Sequence, residues 1–547
     1  MSVRAELAAD PELGVGNVLS RLVARGEGLD EPLLTFDTPV GGHPAWQPLT
    51  LRQLDELTAA RAAWLVELGA RPREPVAVHV GAAAEQVLSF LALTRIGAIP
   101  ALINAKVDGR TARAYLERLR PTGLLLDAAH RAQLGAEEVA GLGWQADVAD
   151  APADAPAAPP EQFRHHPDDA AVITHSSGTT GLPKAVIATH ASLFASVRHR
   201  LTLPRPRATE RMLSALPANH AAMVIALSLA LCNRAELAML SEQSGAAVRE
   251  GITRFRPSCV LGFAATWPEL LAQDPSADEL ESVQLWWNTG DCAHEAHIRR
   301  LVSFGHRVVA SREGARRQDG SAFIDGLGST EMGHSMFFIT HTSDTDRYRR
   351  CIGRPHAFAE VAALDAAGDE VPPGTVGQLG VRSPTLSPGY WNDSVTTYRT
   401  RLRGYFLTGD LVYRDEEGYY YHVDRAVDAL DLGDGRRLYT AQSEERILAA
   451  CPDVLDCTVV AVRSAAGRPT STVLLTLAPG ADPGRDREAE VRAALDPQVA
   501  DTVERVLVVG DGELPHGPTG KVRKVLLRDD GSLLAERGTH KEEVNVA

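Results

Sequence analysis

Nine consecutive residues, Ser176-Ser177-Gly178-Thr179-Thr180-Gly181-Leu182-Pro183-Lys184, combine hydroxyls, flexible glycines and one cation. Successive backbone N–H groups and hydroxyls can wrap phosphate oxygens while the lysine adds a point charge. The chemistry is polyphosphate binding, and the expected ligand is a nucleoside triphosphate. The spacing is not that of a Walker loop, because Gly178 and Gly181 stand too close together and no Lys-Ser/Thr pair follows. Taken alone, the run also reads as a solvated turn between two apolar segments.

The elements around it decide between these readings. From Leu49 the pattern alternates: Leu54 to Leu68 has apolar residues at helical spacing, Pro75 to Val80 reads as a buried strand, Ala83 to Ile96 as a helix ending at Gly97, and Ala98 to Ile103 as a further strand. Such βαβ units imply an α/β fold with a mainly parallel sheet under helices. Residues Ala149 to Pro160 are only Ala, Asp and Pro and predict a surface linker. Ala170 to Ile173 reads as a strand and Ala191 to Val197 as a helix, which puts Ser176 to Lys184 in a strand-to-helix loop. Periodicity breaks again over Arg425 to Leu438, where a hinge is expected. Beyond it, the strands Cys457 to Val462 and Ser471 to Leu477 and the helix Asp486 to Leu495 predict a small α+β domain.

The loop His175 to Lys184 resembles the signature of the adenylate-forming superfamily of acyl-CoA synthetases, non-ribosomal adenylation domains and firefly luciferase. Further segments follow in that family's order: Gly326-Leu327-Gly328-Ser329-Thr330-Glu331, Ile352-Gly353-Arg354-Pro355, Pro388-Gly389-Tyr390-Trp391-Asn392, Tyr405-Phe406-Leu407-Thr408-Gly409-Asp410 and Leu514-Pro515-His516-Gly517-Pro518-Thr519-Gly520-Lys521. The resemblance implies a large N-terminal domain, residues 1–425, of doubly wound sheets plus a distorted β-barrel. It also implies a small mobile C-terminal domain, residues 426–547, that carries a catalytic lysine.

The reaction implied joins an acid to ATP at the α-phosphorus, releases pyrophosphate and passes the adenylate to a nucleophile, so the protein must mainly align groups and neutralise charge. Under this resemblance Ser176 to Lys184 hold the β- and γ-phosphates, and Gly326, Leu327, Gly328 and Ser329 meet adenine together with Gly290, Asp291 and Cys292. Thr330 bonds the α-phosphate. Glu331 is a hard oxygen ligand suited to Mg²⁺. Asp410 accepts from both ribose hydroxyls, and Arg425 adds a ribose or phosphate contact. Lys521, in a loop too flexible for packing, brings an ammonium to the transition state. His220 aligns with an aromatic or histidine near the acyl site, and His334, Trp287 and Asn288 complete the expected substrate pocket. The adjacent Trp286 and Trp287 would narrow it, favouring a small or flat acid. His294 and His297 share a helical face without further ligands for zinc.

Two departures bear on function. Leu327 stands where relatives carry an aromatic ring for adenine. At the hinge, Asp424-Arg425-Ala426-Val427-Asp428 lacks the usual glycine and puts valine at the pivot, and the following stretch Asp431 to Arg437 is altered too. These changes put thiol transfer in doubt but leave the adenylation residues intact. Two activities are therefore expected: a ligase that adenylates a small or aromatic carboxylate and delivers it to CoA or a carrier thiol, or an enzyme that activates another oxyacid such as nitrite, to diazotise an aryl amine, or passes an adenylate to an amine.

At 547 residues, with 44% hydrophobic and 23% charged residues, the chain is long enough for several cores. Its net charge of −15 argues against nucleic acid or an anionic membrane as main partner. The longest apolar run, Ala221 to Cys232, falls short of the ~20 residues that span a bilayer and reads as a buried helix. Met1 to Gly16 does not read as a secretory signal. Six cysteines without a CxxC pair fit a reducing cytoplasm, with Cys451 and Cys457 as apolar fillers rather than a disulfide.

Overall fold

Strands Pro75–His79, Ile99–Leu102 and Gly123–Leu126 are buried along their whole length, as expected of a parallel sheet covered on both faces. They belong to a six-stranded sheet ordered Trp144–Asp147, Gly123–Leu126, Pro75–His79, Ile99–Leu102, Ala170–His175, Ala185–Thr189, parallel throughout except for its last pair. The helix Leu51–Leu68 is set by a capping box, Thr50 with Gln53, and stops at left-handed Gly69. The computed structural model describes residues 2–135, 139, 141–154, 158–176, 182–311, 314–464, 466–482, 484–510, 513–517 and 520–529.

A second, larger sheet starts with parallel strands, among them Arg211–Ser214, Cys259–Phe263, Leu285–Thr289 and Ala322–Asp325. It runs on without a break into antiparallel strands Phe337–His341, Cys351–Pro355, Tyr420–Arg425, Tyr405–Arg414, Gly377–Arg382 and Glu360–Leu364. The antiparallel module expected as a distorted barrel is thus continuous with the second parallel sheet. Between the two sheets lies the helix Ala221–Asn233, apolar on every side and buried at almost every position, as a helix between two layers must be. No helix among the described residues is long and apolar enough to cross a membrane.

The C-terminal unit has its own core around Val459, Val473 and Leu475. Its strands Val454–Arg463, Pro469–Leu477 and Val503–Val508 form a three-stranded sheet, packed by helices Thr440–Ala450 and Arg487–Ala494. Cys451 and Cys457 are buried there as free thiols. Over the expected hinge, Leu430–Gly433 and Arg436–Leu438 pair as a small exposed ribbon.

One expectation is corrected. The phosphate run does not connect a strand to a helix: Ala185–Thr189 pairs antiparallel with Ala170–His175, so the run is the loop of a β-hairpin. The Ala-Val-Ile-Ala-Thr segment has the β-branched residues that favour a strand, and the helix begins only at Ser192.

Candidate active site

The hairpin closes between Ser176 and Lys184: Ser176 N–H donates to the Lys184 carbonyl at 3.1 Å, and Lys184 N–H donates to Ser176 Oγ at 3.4 Å. Ser177, Gly178, Thr179, Thr180 and Gly181 lie outside the described residues. The free edge of Ala185–Thr189 explains the Pro388-Gly389-Tyr390-Trp391 segment. Ile187 N–H donates to the Gly389 carbonyl, and Trp391 N–H donates to the Ala185 carbonyl. This strand addition sets Tyr390 between two charged groups. Its ring lies 5.4 Å from Lys184 Nζ, and its hydroxyl donates to Glu331 Oε1 at 3.0 Å.

Glu331 and Thr330 sit in the turn after Gly328, where Gly328 pairs with Ser335. Gly326 lies beneath this turn, its N–H donating to Asp325 Oδ1 at 2.8 Å. His220 caps the central helix: its Nδ1 accepts from Ala222 N–H at 3.1 Å. The proton is therefore on Nε2, 3.4 Å from Thr330 Oγ1. Burial, with added repulsion from His175 and Lys521, pulls the ring down to about 3. It is neutral at physiological pH and has both nitrogens engaged, so it orients Thr330 and is not a free base.

Two cations and an imidazole converge on Asp291. Lys521 Nζ is 3.0 Å from Oδ2, Arg350 Nη2 is 3.6 Å from Oδ1 and His422 Nδ1 is 4.0 Å from it. Burial opposes ionisation of Asp291, but Lys521, His422 and Arg350 overcome it and hold the carboxyl well below the usual range. Arg350 donates to His422 Nδ1 at 2.8 Å, which turns His422 Nε2 toward Asp410 at 3.6 Å. Asp410 and Arg425 are direct partners on neighbouring strands, with 3.1 Å between Arg425 Nη1 and Asp410 Oδ1. Burial raises the Asp410 pKa, but Arg425 and His422 bring it down to about 2.

Lys521 reaches this cluster from the C-terminal unit because its loop folds back tightly, with Gly517 N–H donating to the Lys521 carbonyl at 2.7 Å. Gly520 has φ +79°, and a Cβ there would stand 2.9 Å from the Ala265 Cβ. Both the left-handed backbone and the close approach require glycine.

Ser176, Lys184, His220, Gly290, Asp291, Cys292, Leu327 to Glu331, His334, Asp410, Arg425 and Lys521 all line one cavity of about 1350 Å³. Its inner end is apolar: Ala222, Ile225, Ala226 and Leu229 form one face of the central helix at i, i+3, i+4, i+7 spacing. Trp287 and His334 wall the same end. Neither Trp286 nor Asn288 joins them, contrary to expectation. Trp286 is fully buried and donates to Ser321 Oγ at 2.8 Å. Asn288 accepts from Trp267 Nε1 at 2.8 Å and donates to Asp325. Successive strand residues point to opposite faces, so in Leu285–Thr289 only Trp287 and Thr289 reach the cavity.

Residues 24–391 match the family described as AMP-binding enzyme. The chain is also 44% identical over 552 residues, 96% of its length and 97% of the relative's, to a 3-aminoavenalumate diazotase of Streptomyces sp.. This chain belongs to the AMP-binding enzymes. A 3-hydroxybenzoate–CoA ligase of Aromatoleum sp. (strain CIB) is 27% identical over 480 residues, covering 81% of this chain and 84% of that one. Among solved structures, an anthranilate CoA ligase in complex with anthranoyl-AMP superimposes with a TM-score of 0.79, covering 98% of this chain and 100% of that one at 20% identity. As an AMP-binding enzyme, the protein is an AMP-forming, ligase-like catalyst with a large N-terminal and a smaller C-terminal domain.

Several residues of this cavity were not evident in the sequence. Arg350 and His422 hold Asp291 and Asp410, yet nothing local marks them. The cavity face of the central helix is hidden because that helix is apolar all round, which leaves no period to read. His294 and His297, set aside as metal ligands, reach the C-terminal unit instead: His294 Nδ1 lies 2.6 Å from Glu445 Oε2, and His297 Nε2 lies 2.7 Å from the Leu455 carbonyl.

Proposed function

We propose that the protein uses ATP to activate nitrite as a nitrosyl adenylate and transfers the nitrosyl group to an aryl amine, giving a diazonium product. The observation that carries this reading is the similarity, along nearly the whole chain, to the diazotase described above. The altered hinge supports it: Val427 stands 58% exposed at the position about which a thiol-transferring relative would turn. The domain boundary falls between residues 425 and 426, just before that position, with residues 426–547 as the moving domain.

The site residues fit ATP. Asp410 faces the cavity as an ionised acceptor for the ribose hydroxyls, and Ser176 with Lys184 frames the phosphate loop. Glu331 offers a hard carboxylate, one oxygen of which takes Tyr390's hydrogen bond. With triphosphate oxygens and water it fits Mg²⁺, which rarely takes a full set of protein ligands. When bound, the ion would neutralise charge on the phosphates. A nitrite oxygen attacks the α-phosphorus, the bond to the bridging oxygen of pyrophosphate breaks, and Lys521 and Thr330 meet the charge that develops on the α-phosphate oxygens. The amine nitrogen then attacks the nitrosyl nitrogen, AMP departs with its oxygen, and one amine proton is released. The nitrosamine tautomerises to the diazohydroxide, takes up a proton and loses water, leaving the diazonium cation.

A second reading keeps the same centre for a small aromatic carboxylate delivered to CoA or a carrier thiol, as the CoA-ligase relative favours. Pyrophosphate release, measured with nitrite or a panel of aryl carboxylates, with and without CoA and an aryl amine, separates them. Nitrite-dependent release, with AMP formation accelerated by an aryl amine and indifferent to CoA, is expected. Release that needs a carboxylic acid and turns over only with CoA would overturn the diazotase reading.

A further inference from the structure

One cation beside the cavity has no partner. Arg200, near the end of the helix Ser192–Thr202, stacks on Trp287 with its Cζ 4.4 Å from the ring centre. Among the described residues no carboxylate lies within ion-pair reach of it and no hydrogen bond meets its side chain; its Nε is sealed without a partner. Arg350 and Arg425, by contrast, are answered, the first by Asp291 and His422 and the second by Asp410. The shell around Arg200 is neutral. It holds Trp287 together with His334 and His356, both kept uncharged first by burial and then by Arg200 itself. His356 Nε2 is likewise sealed without a partner. Burial lowers Arg200 to about 10, so it stays cationic at neutral pH. Arg200 is half-buried and only its Nε is sealed, so its terminal nitrogens stay open to an anion.

We propose that Arg200 supplies the counter-charge for a carboxylate on the aromatic co-substrate, seated at the end of the cavity walled by Trp287 and His334. This rests on the diazotisation reading and deepens it. The aryl amine enters carboxylate first, its ring passes along the apolar face of Ala222, Ile225, Ala226 and Leu229, and its amine points back toward Thr330 and Lys521. The substrate class is an amino-substituted aryl carboxylate. A CoA ligase would need the opposite orientation, with the carboxylate at the α-phosphate.

The test uses the full-length protein and 3-aminocinnamate, with its carboxamide as the uncharged isostere. Calorimetric affinities are measured without nitrite, and KM values are taken in the full reaction. The wild type should bind the carboxylate more tightly than the carboxamide. Arg200→Met should weaken carboxylate binding roughly 10- to 100-fold while leaving the carboxamide unchanged, Arg200→Lys should fall between, and the KM for nitrite should stay constant. Equal wild-type affinity for the two compounds, binding of neither, or an equal loss of both in Arg200→Met would overturn the assignment. Should nitrite release no pyrophosphate, the diazotisation reading fails by itself, and the calorimetric comparison still decides the role of Arg200.

Discussion

At the scale of single residues the site is a set of charges that hold one another. Asp291 is the meeting point of Lys521, Arg350 and His422, so Lys521 is held on the wall of the cavity it shares with Glu331 and Asp410. Lys521→Ala should therefore leave the melting temperature nearly unchanged, because the side chain is 41% exposed, yet slow pyrophosphate formation by roughly 100- to 1000-fold. Rapid-quench measurement of that step checks it, and a loss confined to ATP affinity would contradict it. The paired tryptophans divide by face. Trp286→Ala opens a void in the core it shares with Trp267 and Phe323 and should cost ~3–5 kcal/mol of stability. Trp287→Ala should keep the melting temperature within a few degrees and shift the KM for the aromatic substrate. Calorimetric melting curves and steady-state kinetics on the two variants separate them.

At the scale of elements, geometry is set by strand addition and by close approach. The Gly389-Tyr390-Trp391 segment is legible as a motif, but its purpose appears only when it pairs with the edge of Ala185–Thr189 and thereby bridges Lys184 and Glu331. The expected strand-to-helix loop was a reasonable extension of the βαβ pattern upstream. It failed because a second strand could pair locally before the helix began, and no single residue marks that choice. The lysine loop depends on Gly520 in the same way. Gly520→Ala places a methyl 2.9 Å from Ala265 and strains a left-handed backbone. Adenylation should fall about 10-fold or more while ATP binding by the N-terminal domain, measured calorimetrically, holds. An unchanged adenylation rate would show that the loop does not seat in this position during the reaction.

At the scale of the whole molecule, two domains meet through His294, His297 and Glu445. Burial alone would lower the His294 pKa, but the hydrogen bond and charge of Glu445 raise it above the ordinary 6.5, while Glu445 is lowered despite burial. A raised folded pKa means that the stabilisation is fully present below 6.5 and is lost as pH rises through the folded value. The closed arrangement that brings Lys521 to Asp291 should therefore weaken on the alkaline side. Pyrophosphate formation should decline with rising pH in the wild type, whereas His294→Gln should start on the order of 10-fold lower and give a flatter profile. Superimposable pH profiles would show that this contact does not gate the reaction.

The adenylating family and the α/β architecture were legible in the sequence because the segments that resemble the family's motifs are short, local runs of distinctive residue types. The buried strands showed as short apolar runs and the helices as longer ones. What only tertiary structure decided is everything that depends on convergence. Arg350, in the bend before Cys351–Pro355, and His422, on the paired strand Tyr420–Arg425, come to Asp291 across a long stretch of sequence, Trp287 but not Trp286 or Asn288 faces the cavity, and Arg200 stands without a counter-ion behind Trp287. Local sequence specifies which way the chain bends; it carries no record of which charges will share a low-dielectric space after some hundreds of residues have folded between them.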